Sequence, residues 1–144
     1  CFAAREFPSA EGCTVLLVRP CAGVDAGLLE NLLSVAELPT RARLRVVMTV
    51  DDPDDRARPI VERAVAELRE RGVDANFELH PPTGPNRKAS LLAGVMLGER
   101  ARDADYAVNV DSNVDLRGFE LDRLLGPLLA DPKLGATWAP WAAA

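Results

Sequence analysis

A chain of 144 residues has room for one domain with a real core. Apolar residues make up 48% and charged residues 27%, an ordinary globular balance that excludes a disordered tail. The net charge of -5, from 17 basic and 22 acidic side chains, argues against a nucleic-acid partner, which calls for a basic face. No apolar run reaches the ~20 residues of a membrane span. "CFAAREFPSAEG" also lacks the charged-then-apolar order of a signal peptide. The segment is therefore expected to be soluble. Because it starts at Cys1 without Met and stops on "WAPWAAA", it is expected to be a piece of something longer.

The first element, "CTVLLVRPCAG", is a β-branched and Leu-rich run ending at Pro20 and Gly23, a buried strand followed by a loop. Asp25 is placed to cap a helix carrying Leu28, Leu29, Leu32, Leu33 and Ala36 at helical spacing, closed by Pro39. "LRVVMTV", residues 44–50, is a second buried strand that runs straight into "DDPDD". A helix follows, with Ile60, Val61, Ala64, Val65 and Leu68 on one face and Gly72 as its stop. "DANFEL", residues 74–79, reads as a third strand, and "HPPTGP" leads to a helix from about Asn86 to Arg100. "DYAVNV" is a fourth strand, Leu121, Leu124, Leu125 and Leu128 mark another helix, and "LGATWA" suits a fifth strand. Alternating strands and helices predict an α/β domain of Rossmann-like topology: a mainly parallel sheet, helices on both faces, right-handed crossovers.

In open sheets of this kind ligands bind beyond the carboxyl ends of the strands. Those ends carry "RPCAGVD", "DDPDD", "HPPTGPNRK" and "DSNVD". In "DSNVD", Asp111 and Asn113 are two apart and share a side of an extended segment. Gathered carboxylates call for a cation, and hard oxygen donors suit Mg2+ or Mn2+ with substrate phosphates as further ligands; the plain alternative is a polar turn. In "DDPDD" one acid, Asp54 or Asp55, suffices to cap the next helix, which leaves Asp51 and Asp52 for a ligand. In "GPNRKAS" Asn86 is a helix cap, and free N–H groups beside Arg87 and Lys88 make an anion site suited to a diphosphate; two solvated basic residues are the alternative. Cys1, Cys13 and Cys21 form no C-x-x-C pair and are expected to be reduced and structural; His80 reads as a loop residue.

Taken in order, these motifs resemble the ceramide glucosyltransferase type of glycosyltransferase, including its bacterial hopanoid-associated relatives. "RPCAGVD" resembles that family's K-P-L-K-G-V-D, and "TVDDPDDRARPIV" its D-x-D-D-P-A, with Asp52 at the first aspartate. "GPNRKASLL" resembles G-x-N-x-K-x-x-N-L, and "VDSNVDL" the D-S-D or D-S-G motif. The resemblance runs from about Thr14 to Trp141. It implies a single nucleotide-sugar-binding GT-A domain over residues 1–144, the donor-binding part of a longer enzyme that transfers a sugar from a nucleotide-diphosphate sugar, a UDP-sugar, to a lipid hydroxyl. On this reading Pro20 and Asp52 line the nucleotide pocket, Asn86 and Lys88 lie near the diphosphate, and Asp111 with Asn113 holds Mg2+ or Mn2+. Membrane attachment, at the cytoplasmic face, comes through flanking segments of the parent protein.

The sequence departs from the pattern at Ala22, where the family has Lys, at Ser90 and Leu91, and at Asn113, which replaces a second aspartate. The family's general base and its R/Q-x-x-R-W motif are expected downstream of Ala144. Trp138 and Trp141, in "ATWAPW", are read as strand and edge packing. Two rival readings are a catalytically incomplete nucleotide-sugar-binding fragment and an Mg-dependent phosphotransfer domain. The latter needs a nucleophilic Asp where the first strand here ends in "RPCAG".

Overall fold

The computed structural model describes residues 6–138. Strands β1 (Thr14–Pro20), β2 (Arg43–Val50), β3 (Ala75–Leu79) and β4 (Tyr106–Asn109) form one parallel sheet in the order β3-β2-β1-β4. Helices α1 (Leu28–Leu33), α2 (Arg58–Glu70), α3 (Arg87–Met96) and α4 (Leu121–Ala130) follow the four strands in turn. This is the Rossmann-like α/β arrangement that the alternation predicts.

Period-two alternation sorts each strand's side chains between two faces. Val15, Leu17, Val46, Met48 and Val50 join Leu28, Leu32, Val61, Ala64, Leu68, Leu121 and Leu125 in the larger core, beneath α1, α2 and α4. Leu16, Val18 and Val47 face the other way and meet Val95 of α3 in a smaller one. Burial on both sides is why the strands read as nearly unbroken apolar runs.

Several local readings change, among them the cap of α2, which is Ala57 with no side-chain bond and not Asp54 or Asp55. Asp25 does not cap α1 with its side chain; the N-cap is Gly27, in the left-handed region at φ 78°, and Asp25 accepts from Leu28 N–H through its main-chain carbonyl. The helix begun at Asn86 ends at Met96, and a separate 3-10 turn, Glu99–Ala101, follows Gly98. No fifth strand forms over residues 134–138: Leu134 N–H closes a turn onto Asp131 O, and a strand needs a ladder partner that this segment lacks. Trp138 is 80% exposed rather than packed; Trp141 lies outside the described residues. The stop at Gly72 holds, with φ 83° just past α2.

Candidate functional site

The chain builds the sheet outward from β1 through β2 to β3, then crosses back to lay β4 on the other side of β1. Strand order therefore reverses between β1 and β4, where an open sheet leaves a crevice at its carboxyl edge. A cleft of about 340 Å3 lies there. Pro20, Cys21, Ala22 and Asp25 line it from the β1 loop, Asp51 from β2, Asp111 to Asn113 from β4, and Arg87, Lys88 and Leu91 from α3.

Each wall has a physical support. Asn86 has extended backbone, and its side chain accepts from Ala89 N–H at 3.0 Å, so α3 begins one residue later with Arg87 and Lys88 in its first turn. Arg87 reaches the β2 end and grips the Asp51 carboxylate through Nε and Nη2, the latter at 2.5 Å. Lys88 reaches the β4 end, with Nζ 2.5 Å from Asp111 Oδ1. Opposite these, His80 lies on Gly94 of α3, where a Cβ would stand 2.4 Å from the His80 ring; only glycine lets the helix come this close. His80 also shares a 2.7 Å hydrogen bond with Glu78, so it is a packing residue of the sheet edge.

The β4 turn hangs on a residue that the sequence reading did not single out. Arg19, next to last in β1, is fully buried, and its guanidinium donates to the carbonyls of Asn31 (2.7 Å), Asp111 (2.9 Å) and Val114 (2.6 Å). Burial lowers its pKa to about 10, still charged at neutral pH, with Asp111 and Asp115 among the groups that oppose the shift. Ser34 Oγ accepts from Leu116 N–H, and Asn31 donates to the Asn113 carbonyl, completing the frame. A charged residue closing an otherwise apolar strand was the available signal. The strand's next neighbour, Cys21, is buried, and burial pushes its thiol up to about 12, so it stays protonated and inert at neutral pH.

The residues read from the sequence divide accordingly. Pro20, Lys88, Asp111 and Asn113 share the cleft. Asn86 stands behind it as the cap of α3. Asp52 is exposed beside the cleft, its carboxylate accepting from Asp54 N–H, whereas its neighbour Asp51 points inward. Alternation along an extended chain sends adjacent side chains to opposite sides, so only one of the two acids can face the cleft. Asp115 turns away to Arg117, which donates to it from its main chain and its guanidinium. That contact holds the Asp115 carboxyl down at about 2.

Asp51 and Asp111, the paired acids of the two turns, thus each hold a cation from α3. Among the described residues no three His, Cys, Asp or Glu side chains gather as a metal cage. Lys88 and Asp111 line both this cleft and a second groove of about 650 Å3, whose walls include Val108, Phe119, Leu124 and Leu128 beside Asp105 and Asn109.

The sequence profile described as glycosyl transferase family 21 matches residues 3–143. The chain belongs to this family. No curated protein sequence matches it. Among solved structures it is similar to TarS of S. aureus, residues 1–349, at 18% identity and a TM-score of 0.49, over 69% of this chain and 27% of that one. The same protein in complex with UDP-GlcNAc gives 18% identity and a TM-score of 0.46, over 69% and 26%. The family 21 chain thus spans about a quarter of the length of these structures.

Proposed function

We propose that this family 21 domain is the donor-binding part of a GT-A glycosyltransferase that moves a sugar from a nucleotide-diphosphate sugar, a UDP-sugar, to a lipid hydroxyl. The single observation that carries this reading is the meeting of Arg87, Lys88 and Asp111 in one cleft at the point where strand order reverses. Two cations at a capped helix start suit a diphosphate, which accepts many charge-assisted hydrogen bonds. As charge grows on the departing nucleoside diphosphate, Lys88 would stabilise it electrostatically, and the fixed cleft would spare reorganisation.

A divalent ion fits this site in one way. One half-exposed carboxylate, Asp111, with the Asn113 amide nearby suits Mg2+ or Mn2+ carried in by substrate phosphates, and does not make an all-protein cage. Bound there, the ion would neutralise charge on the phosphate oxygens. Lys88 would have to exchange Asp111 for the diphosphate, which costs little for a pair that is half-exposed on both sides.

The lipid acceptor, a glycolipid precursor of the ceramide or hopanoid kind, rests on the family resemblance of the motifs, and the groove next to Lys88 and Asp111 offers it Val108, Phe119, Leu124 and Leu128 on a wall of mixed polarity. The general base and membrane attachment, at the cytoplasmic face, are proposed to come from the parent protein outside this segment; the alternative is a catalytically incomplete fragment that binds donor without turning it over. The phosphotransfer reading loses ground because the end of β1 presents buried Arg19 instead of an acidic nucleophile.

Thermal unfolding tests the proposal. UDP-sugar with Mn2+, at ten times its dissociation constant, should stabilise the domain by ~1.4 kcal/mol, a rise of about 4 °C for a chain of this size. Asp111→Ala and Lys88→Ala should abolish the rise, while Asp54→Ala, in an acidic turn but outside the cleft, should keep it. Equal loss in all three, or no rise in the parent domain, would refute the reading.

A further inference from the structure

The two ion pairs at the start of α3 look alike in sequence, Arg87 beside Lys88, yet they are physically different. The Asp51 side chain is 3% exposed, and Arg87 grips it with two donors. A buried carboxylate without its partner is strongly unfavourable, so Arg87 is not free to leave. Its Nη1 donates to nothing among the described residues, while the side chain is 62% exposed and lines the cleft. By contrast Lys88 and Asp111 are 51% and 45% exposed and share a single contact, which water and salt screen well.

We propose that the two cations divide the recognition of an anionic phosphoryl ligand: Arg87 is a fixed anchor, oriented by Asp51 and offering its free Nη1, and Lys88 is an exchangeable cation that passes from Asp111 to the ligand. Asp51 is therefore a positioning residue that acts through Arg87, and Asp111 is the competitor that holds Lys88 until the ligand arrives. The inference deepens the diphosphate reading above and rests on it for the ligand class. It adds Arg87 to the site and gives the two carboxylates opposite effects.

That opposition makes a sharp experiment. Inorganic pyrophosphate is titrated into the folded domain without metal, by calorimetry, at low and moderate salt. Asp111→Asn releases Lys88 and should tighten binding about threefold, the weight of a half-exposed pair. Asp51→Asn removes the same negative charge but frees Arg87 from its anchor, and should weaken binding about tenfold. Arg87→Lys keeps the charge and loses the two-pronged grip; it should behave like Asp51→Asn, and it keeps the test open if Asp51→Asn fails to fold. If both carboxylate variants tighten binding alike, only general electrostatics is at work and the division of labour is overturned. It also falls if Arg87→Lys binds as the parent does. If pyrophosphate shows the opposed effects but UDP-sugar does not stabilise the domain, the anchor stands and the glycosyltransferase reading fails. If UDP-sugar stabilises the domain without the opposed effects, the anchor fails alone.

Discussion

Two acidic turns close strands on the same edge of this sheet, and they are held by different means. The turn after β2 is largely self-supporting: Asp52 accepts from Asp54 N–H, and Asp55 accepts from Ala57 N–H two residues on and from Gly23 N–H across the edge. The turn after β4 has local bonds too, Val114 N–H to the Asp111 carbonyl and Arg117 N–H to the Asp115 carboxylate, but it adds distant ones, since Arg19 binds the carbonyls of Asp111 and Val114, and Ser34 and Asn31 bind Leu116 and Asn113. Short Asp-rich turns use side chain–backbone hydrogen bonds that the local sequence supplies. A turn strung on a buried guanidinium exists only once the rest of the fold has buried it. The second turn is therefore the more fragile of the two, and it is the one that carries Asp111.

Breaking the distant support should have the largest effect. Arg19→Met takes the guanidinium from three carbonyls, of which Asn31 O keeps Ser34 Oγ–H and Asp111 O keeps Val114 N–H while Val114 O is left bare, and a loss of about 3 kcal/mol is expected in urea unfolding. Next comes Gly94→Ala, which drives a methyl group into the His80 ring and displaces α3, the element that ties both turns through Arg87 and Lys88. Overpacking of this kind costs about 1–3 kcal/mol, and His80→Ala in the same chain should recover most of it; a double-mutant cycle checks the coupling. Asp55→Ala, which cuts the local support of the β2 turn, should cost only about 1 kcal/mol, as for a lost cap. If it costs as much as Arg19→Met, the contrast between the turns collapses.

The smallest effect is the one that depends on pH. Arg117 holds the Asp115 carboxyl at about 2, below its ordinary 3.8. A carboxyl depressed in the fold adds stability that is complete above its unfolded pKa and disappears as pH falls through the folded one. The contribution should thus be full above pH 4 and lost between about 4 and 2. Asp115→Asn should flatten the acid limb of the stability curve there and lower stability at neutral pH by the same small amount, small because both partners are exposed, while below about pH 2 the two proteins should converge.

Much of this arrangement was legible in the residues. Apolar runs bounded by turn residues gave the four strands, and Asn86 before "RKAS" gave the start of α3 and the place of its two cations. The choice between Asp51 and Asp52 was not legible, because alternation says that adjacent acids diverge but not which of them faces the cleft. Arg19 is not legible as a structural cation, because a charge at the end of a strand is usually solvated and only the crossing of α1 and the β4 turn above it creates the buried pocket it fills. The strand expected at "LGATWA" failed for a related reason: strand propensity is realised only when a neighbour accepts the hydrogen bonds.

The sequence by itself determined the order of the elements, the helix stop at Gly72, the cap at Asn86 and the charged residues that reach the sheet edge, since each follows from hydrogen bonds and periodicity within a few residues. Only the tertiary structure decided which charges meet. Arg87 with Asp51 and Lys88 with Asp111 are separated by 36 and 23 residues, and only the first pair has a buried member, the Asp51 carboxylate, while both side chains of the second are half-exposed. Those differences in exposure belong to the packed sheet and helices, and local sequence cannot express them.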